Sequence, residues 1–239
     1  MSDGWSVCKT PLAKPLVWNH NVPWNPGAVV ALRAVSYATQ MDSKYGRFLV
    51  TAPDWTWLQS YACRPIRGSG GHSEHSHPVA VDIRPWVNPM SDHGILQTDF
   101  DRYGIDDAVK FATPWFEAGF MWGGQWLDPL VHGVTACVNA YRTALGKQGR
   151  KIRDGRVDAM HWELQHSPTS FAQVSTLRKG KSGIYVRLWK ARLTKLGAQR
   201  LAGSDFFGDG TEAATKEFQH NKGLLEDGVV GTKTWGAAW

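Results

Sequence analysis

At 239 residues, the chain has room for one medium domain plus a small one, or for a single large domain. Its 42% hydrophobic and 20% charged residues are ordinary for a soluble globular protein. A formal charge of +6 favours anionic partners, yet no Lys/Arg arm and no RNA- or DNA-binding pattern stands out, so nucleic acid is not the expected partner. Cys8, Cys63 and Cys137 are scattered, odd in number and form no CxxC pair. That argues against a disulfide framework and against a cysteine-held metal. The chain opens without a basic segment followed by an apolar run, and no stretch is long enough to span a bilayer. Neither a signal peptide nor stable membrane insertion is expected.

In chain order, Val29, Val30, Leu32, Ala34, Val35 and Ala38 put apolar side chains on one broad face and predict a helix over 26–41. Residues 48–51 and 55–63, rich in β-branched and aromatic side chains, predict strands. A glycine and histidine cluster over 68–77 interrupts them, and 79–83 is again extended. Residues 106–119 have helical periodicity, with Pro114 expected to kink or restart the helix. A tryptophan and glycine turn is expected over 121–126 and a last strand over 157–164. Helices and short strands without βαβ alternation indicate an α+β fold.

Composition changes near Ser175. Beyond it, three short helical segments over 184–196, 211–221 and 232–239 are separated by glycine-bearing turns. Leu188, Leu193, Leu196, Phe218, Leu224, Val230 and Trp235 are enough to close a small helical core. The expected division is a domain over 1–174, a linker over 175–183 and a second, all-α domain over 184–239. Nothing points to self-association, and a monomer is expected.

Two segments concentrate metal-binding chemistry: Gly71 to Asp82, which reads GHSEHSHPVAVD, and Asp158 to Glu163, which reads DAMHWE. A catalytic zinc site takes three imidazole or carboxylate ligands and keeps one position open for water. His75, Asp82 and His161 supply such a set, and Asp158, three positions before His161, is placed to act as a proton-accepting carboxylate. His72 and His77 compete as ligands. A strand carrying His75-x-His77 would point both rings the same way. Glu163 is either a partner that orients a ligand histidine or a charge on a strand surface.

Ser73-x-His75, Ala80-x-Asp82 and Asp158-x-x-His161 resemble the motifs of the zinc D-alanyl-D-alanine carboxypeptidases and L-alanyl-D-glutamate endopeptidases. That family carries SxHxxGxAxD followed far downstream by an acidic residue, two spacers and a histidine. The segment Gly119 to Trp126, GFMWGGQW, is similar to one in the phage-lysin branch, with Gln125 where that branch often has aspartate. Pro78 stands where the family motif has glycine. The resemblance implies a peptidase domain with a central antiparallel sheet and flanking helices. It implies Zn²⁺ on His75, Asp82 and His161, and Asp158 as general base. Arg64 and Ser73 would then position the substrate, the guanidinium near developing negative charge.

Residues 184–239 resemble the three-helix peptidoglycan-binding module found beside many wall hydrolases. The matching positions include Leu188, Leu193, Phe207-Gly208, Thr211, Phe218-Gln219, Asp227-Gly228, Val230-Gly231 and Thr234-Trp235. Glycine is expected to turn the chain before each helix and threonine to cap it. Trp189 replaces a common glutamine, which implies an altered binding groove. The implied function is hydrolysis of a peptide bond in the stem or cross-link of bacterial peptidoglycan by an endolysin-like enzyme. Such an enzyme is held in the host cytoplasm until released to the wall. The alternatives are a D-alanyl-D-alanine carboxypeptidase and a wall-binding protein without catalysis.

Overall fold

The computed structural model describes residues 12–51, 58–60, 62, 74–77, 79–85, 90–91, 102–146, 157–199, 201 and 203–239. The chain divides into two compact units, Met1–Ser167 and Pro168–Trp239. The first opens with a hairpin of β1 (Leu16–Val17) and β2 (His20–Asn21). Trp18 and Asn19 form its turn with φ of 45° and 62°, a left-handed conformation that costs a bulky residue energy. Trp18 is held there because its backbone N–H donates to Ser36 Oγ and its indole N–H to Thr39 Oγ1.

A short 3-10 turn, Pro26–Ala28, is capped by the Asn25 side chain and leads into α1 (Val29–Asp42). Residues 48–51, expected to be a strand, instead end a helix, α2 (Lys44–Thr51). The reason is a cap from a distant element. Asp107 accepts from Ser43 Oγ and from the N–H groups of Lys44 and Tyr45, at 3.0, 2.8 and 2.9 Å. Tyr45 and Leu49, one helical turn apart, then bury the inner face. Of the stretch expected as a strand over 55–63, β3 (Leu58–Gln59) is formed; residues 55–57, 61 and 63 lie outside the described residues.

Next come β4 (Ala80–Ile83), β5 (Met90–Ser91), α3 (Ile105–Glu117), β6 (Phe120–Trp122), α4 (Pro129–His132) and α5 (Val134–Gly146). The helix α3 runs through Pro114 rather than restarting there. The strand expected over 157–164 is two strands, β7 (Val157–Asp158) and β8 (His161–Leu164), parted by a turn at Ala159 and Met160. β3, β4, β8 and β6 make a four-stranded antiparallel sheet in that order.

Side chains alternate across a strand. On β8, Trp162 and Leu164 take the face opposite His161 and Glu163. Trp162 stacks on Trp115 of α3 with ring centroids 4.9 Å apart, and Phe120 meets Trp115 edge-on at 5.0 Å. Each large side chain buried in this cluster is worth about 1.5–3 kcal/mol. The aromatic core thus anchors one face of the strand and presents His161 and Glu163 on the other.

The second unit contains α6 (Pro168–Ser175), α7 (Ile184–Lys195), α8 (Asp209–Asn221) and α9 (Thr232–Ala237). α6 is tied into it: the Trp235 indole donates to the Ser175 carbonyl at 2.8 Å, and Leu177 bridges Val230. Trp189 is fully buried against Phe218 and Trp235, with its N–H on Thr215 Oγ1. It is part of the core of this unit. Thr211 and Thr234 are not caps. The N-cap positions are Gly208 and Gly231, neither with a capping side chain, while both threonines are buried inside the first turns. Gln219, also buried, donates to Asp227 Oδ1, the Val229 carbonyl and Thr234 Oγ1 and accepts from the Gly228 N–H. That one amide holds the glycine turn before α9.

Candidate metal centre

The register of the sheet sets Asp82 of β4 directly opposite His161 of β8, so both side chains leave the same face of the sheet. A 3-10 turn, Glu74–Ser76, delivers His75 to that face; because these residues are not a strand, His75 and His77 do not form a same-side pair. His75 Nε2 lies 3.1 Å and His161 Nδ1 3.0 Å from the same oxygen, Asp82 Oδ1. The two imidazoles meet edge-on with centroids 5.0 Å apart. One donor atom from each of the three residues falls within 4.8 Å of the others, and all three side chains are buried.

This donor set suits a divalent ion such as zinc: two nitrogens and one carboxylate oxygen converging on a point. Two imidazoles crowd one carboxylate oxygen, so protons stand where a cation would. Burial alone would raise the Asp82 carboxyl. The hydrogen bonds from His161 and His75 outweigh it and hold the group well below the usual carboxylate range. Burial opposes charge on His161 as well, but its bonds to Asp82 and Glu163 prevail and raise it well above the ordinary histidine value. A metal binding here displaces that proton.

Asp158 lies beside the set on β7. Its Oδ1 is buried with no hydrogen-bond partner among the described residues. Burial is the main cause of its rise to about 6; His161 pulls it down and the Asp82 charge pushes it further up. An unpartnered buried carboxylate oxygen next to a convergent ligand set is a group awaiting a proton or a water.

The glycine-tryptophan segment holds this loop in place. Gly123 donates its N–H to the His161 carbonyl at 2.9 Å and accepts from the Asp158 N–H at 3.0 Å. A Cβ on Gly123 would stand 2.4 Å from the Asp158 carbonyl oxygen, and one on Gly124 2.1 Å from the Trp122 ring. Both glycines are therefore demanded by close approach. The Trp122 indole donates to the Ala159 carbonyl, and Trp126, at φ 54°, sets its ring 5.6 Å from that of His161.

Of the residues singled out in the sequence, His75, Asp82 and His161 come together and Asp158 stands alongside. Arg64, Ser73, His72 and Pro78 lie outside the described residues. Glu163 is no surface charge: it is buried, its Oε2 3.0 Å from His161 Nε2, and its Oε1 accepts from Gln165 Nε2 at 2.6 Å. Burial raises the Glu163 carboxyl, and the bond from His161 more than reverses this. The sequence reading missed the Ser60 carbonyl, which meets His75 Nδ1, and the structural part played by Gly123. Neither has a side-chain signature, although the alternation His161-x-Glu163-x-Gln165 did carry a hint of the polar row.

Residues 67–130 match the family model described as D-alanyl-D-alanine carboxypeptidase, a span that holds His75, Asp82 and the Gly119 to Trp126 segment. Over that span the chain is similar to this peptidase family. Residues 182–237 match a putative peptidoglycan binding domain. The two matches in one chain support a peptidase that acts on the cell wall. No curated protein and no solved structure matches the chain. No helix among the described residues is long and apolar enough to cross a membrane.

Proposed function

We propose that this peptidase is a zinc-dependent, endolysin-like enzyme that hydrolyses a peptide bond within the stem or cross-link of peptidoglycan. The observation that carries the reading is the buried His75, Asp82 and His161 set with the unpartnered Asp158 oxygen beside it. It stands in a chain that also has a peptidoglycan-binding domain.

His75, Asp82 and His161 would hold the ion. Zinc bound there supplies Lewis acidity and a water acidified to a pKa of roughly 7. Asp158 accepts the proton of the attacking water and returns it to the leaving amine; a carboxyl near 6 is ionised at neutral pH yet basic enough to do both. Burial of the Asp158 Oδ1 oxygen keeps the carboxylate basic. Arg64 and Ser73, on the strength of the family resemblance, position the substrate. The C-terminal module keeps the enzyme on an insoluble polymer and so raises the local substrate concentration.

The test is mass spectrometry of muropeptides released from purified walls, with chelator and after zinc is restored. New amino termini at one internal position, lost with chelator and regained with zinc, support the reading and name the bond. Release of free D-alanine from a soluble pentapeptide without wall solubilisation makes the enzyme a carboxypeptidase. Binding to walls with no new termini removes catalysis altogether.

A further inference from the structure

We infer that Glu163, braced by Gln165, is a positioning residue that accepts the Nε2–H of His161 and so holds that ring with Nδ1 toward the metal position. The inference rests on the zinc reading above and concerns residues outside the three ligands and the base.

A neutral imidazole ligates through the nitrogen that carries no proton, so whatever accepts the other N–H selects the tautomer. The two rings have different acceptors at opposite ends. His75 turns Nδ1 to the Ser60 carbonyl and Nε2 to Asp82. His161 does the reverse, with Nδ1 3.0 Å from Asp82 Oδ1 and Nε2 3.0 Å from Glu163 Oε2. A backbone carbonyl fixes the first ring and a carboxylate the second.

Glu163 is neither a fourth ligand nor a second base. Its oxygen sits on the Nε2 side of His161, whereas Asp82 and His75 gather on the Nδ1 side, and the convergent set does not include it. Its placement follows from the strand: His161 and Glu163 are two apart on β8 and share a face, and Glu163 is paired in register with Ala80 and Met121. The Gln165 amide on Oε1 removes the remaining freedom of the carboxylate. The result is a row from half-buried Gln165 through buried Glu163 to buried His161 that ends at the metal position.

The experiment uses the full chain, loaded with zinc and ¹⁵N-labelled at histidine. Two-bond ¹H–¹⁵N spectra are expected to show His161 protonated at Nε2 and metal-bound at Nδ1, with His75 the other way round; His161 bound through Nε2 overturns the inference. In parallel, zinc affinity is measured by competition with a chromogenic chelator. Glu163→Ala is expected to bind zinc about 10–100-fold more weakly, and Glu163→Gln, which keeps an acceptor oxygen, to recover most of that loss. Wild-type affinity in Glu163→Ala, or no recovery in Glu163→Gln, overturns it.

Should Glu163→Ala not fold, Gln165→Ala leaves the carboxylate in place and unbraced, and a several-fold loss of affinity is expected; unchanged affinity counts against the inference. A parent chain that binds no zinc ends the metal reading itself. A parent that binds zinc and cuts walls while His161 uses Nε2 ends only this inference.

Discussion

Asp158 shows how a single residue exchanges stability for chemistry. Its carboxyl is raised from 3.8 to about 6 in the folded, metal-free protein. A raised folded-state value means the folded state prefers the protonated form. The group therefore favours folding fully below pH 3.8, and that contribution is lost as pH rises through 6. A rise of that size corresponds to roughly 3 kcal/mol, and solvent relaxation around this half-buried residue brings it to about 1–3 kcal/mol. Asp158→Asn should accordingly be more stable than the parent at pH 8 in chelator, by about that amount, with the advantage gone below pH 4. The same substitution should abolish wall hydrolysis while zinc stays bound. Denaturant melts across pH, beside a wall-turbidity assay, check both arms; parallel pH curves for parent and variant would remove the buried-charge argument. At this scale the sequence was informative where chemistry restricts residue type. Metal ligation admits few side chains, so His75, Asp82 and His161, with Asp158 as the proposed base, could be proposed from spacing and motif, and the structure brings the first three together. Ser60 could not, because it contributes a carbonyl that any residue possesses.

Among the elements, α2 is the instructive one. Phe48-Leu49-Val50-Thr51 has the composition of a strand, and local propensity points that way. The helix exists because Asp107, over 60 residues away in sequence, caps its first turn with three hydrogen bonds and because Tyr45 packs edge-on against Phe111 of α3 at 4.8 Å. Tertiary contacts of that kind override propensity and leave no trace in a short window. By contrast α1 and α3 were legible, since each buries a broad apolar face that repeats with helical period. The turn that splits β7 from β8 escaped notice because Ala159 and Met160 are not turn-forming residues; Trp122 holds it through the Ala159 carbonyl. Asp107→Ala should therefore destabilise the N-terminal unit by about 2–4 kcal/mol, from the lost cap and the N–H groups left unpaired. Urea denaturation followed by tryptophan fluorescence measures it. Zinc affinity of the folded variant should be unchanged, because no ligand sits on α2; a loss below about 1 kcal/mol would mean that α2 is held by packing alone.

For the whole molecule, each unit has its own aromatic core: Trp115 with Trp162 and Phe120 in the first, Trp189 with Phe218 and Trp235 in the second. The ligand set lies wholly in the first. A ligand that binds only the folded form stabilises the unit that holds it by RT ln(1 + [L]/Kd), about 2.7 kcal/mol at a hundredfold excess over Kd. For a unit of this size each kcal/mol moves Tm by about 2–4 °C, so saturating zinc should raise the melting of the N-terminal unit by about 5–10 °C. The C-terminal unit has no part in the site, so its transition should stay where it is. Differential scanning calorimetry in zinc and in chelator resolves the two cases. Two transitions, one moved and one fixed, match a catalytic unit and a binding unit that fold on separate cores. A single transition that moves as a whole would mean that the units unfold together.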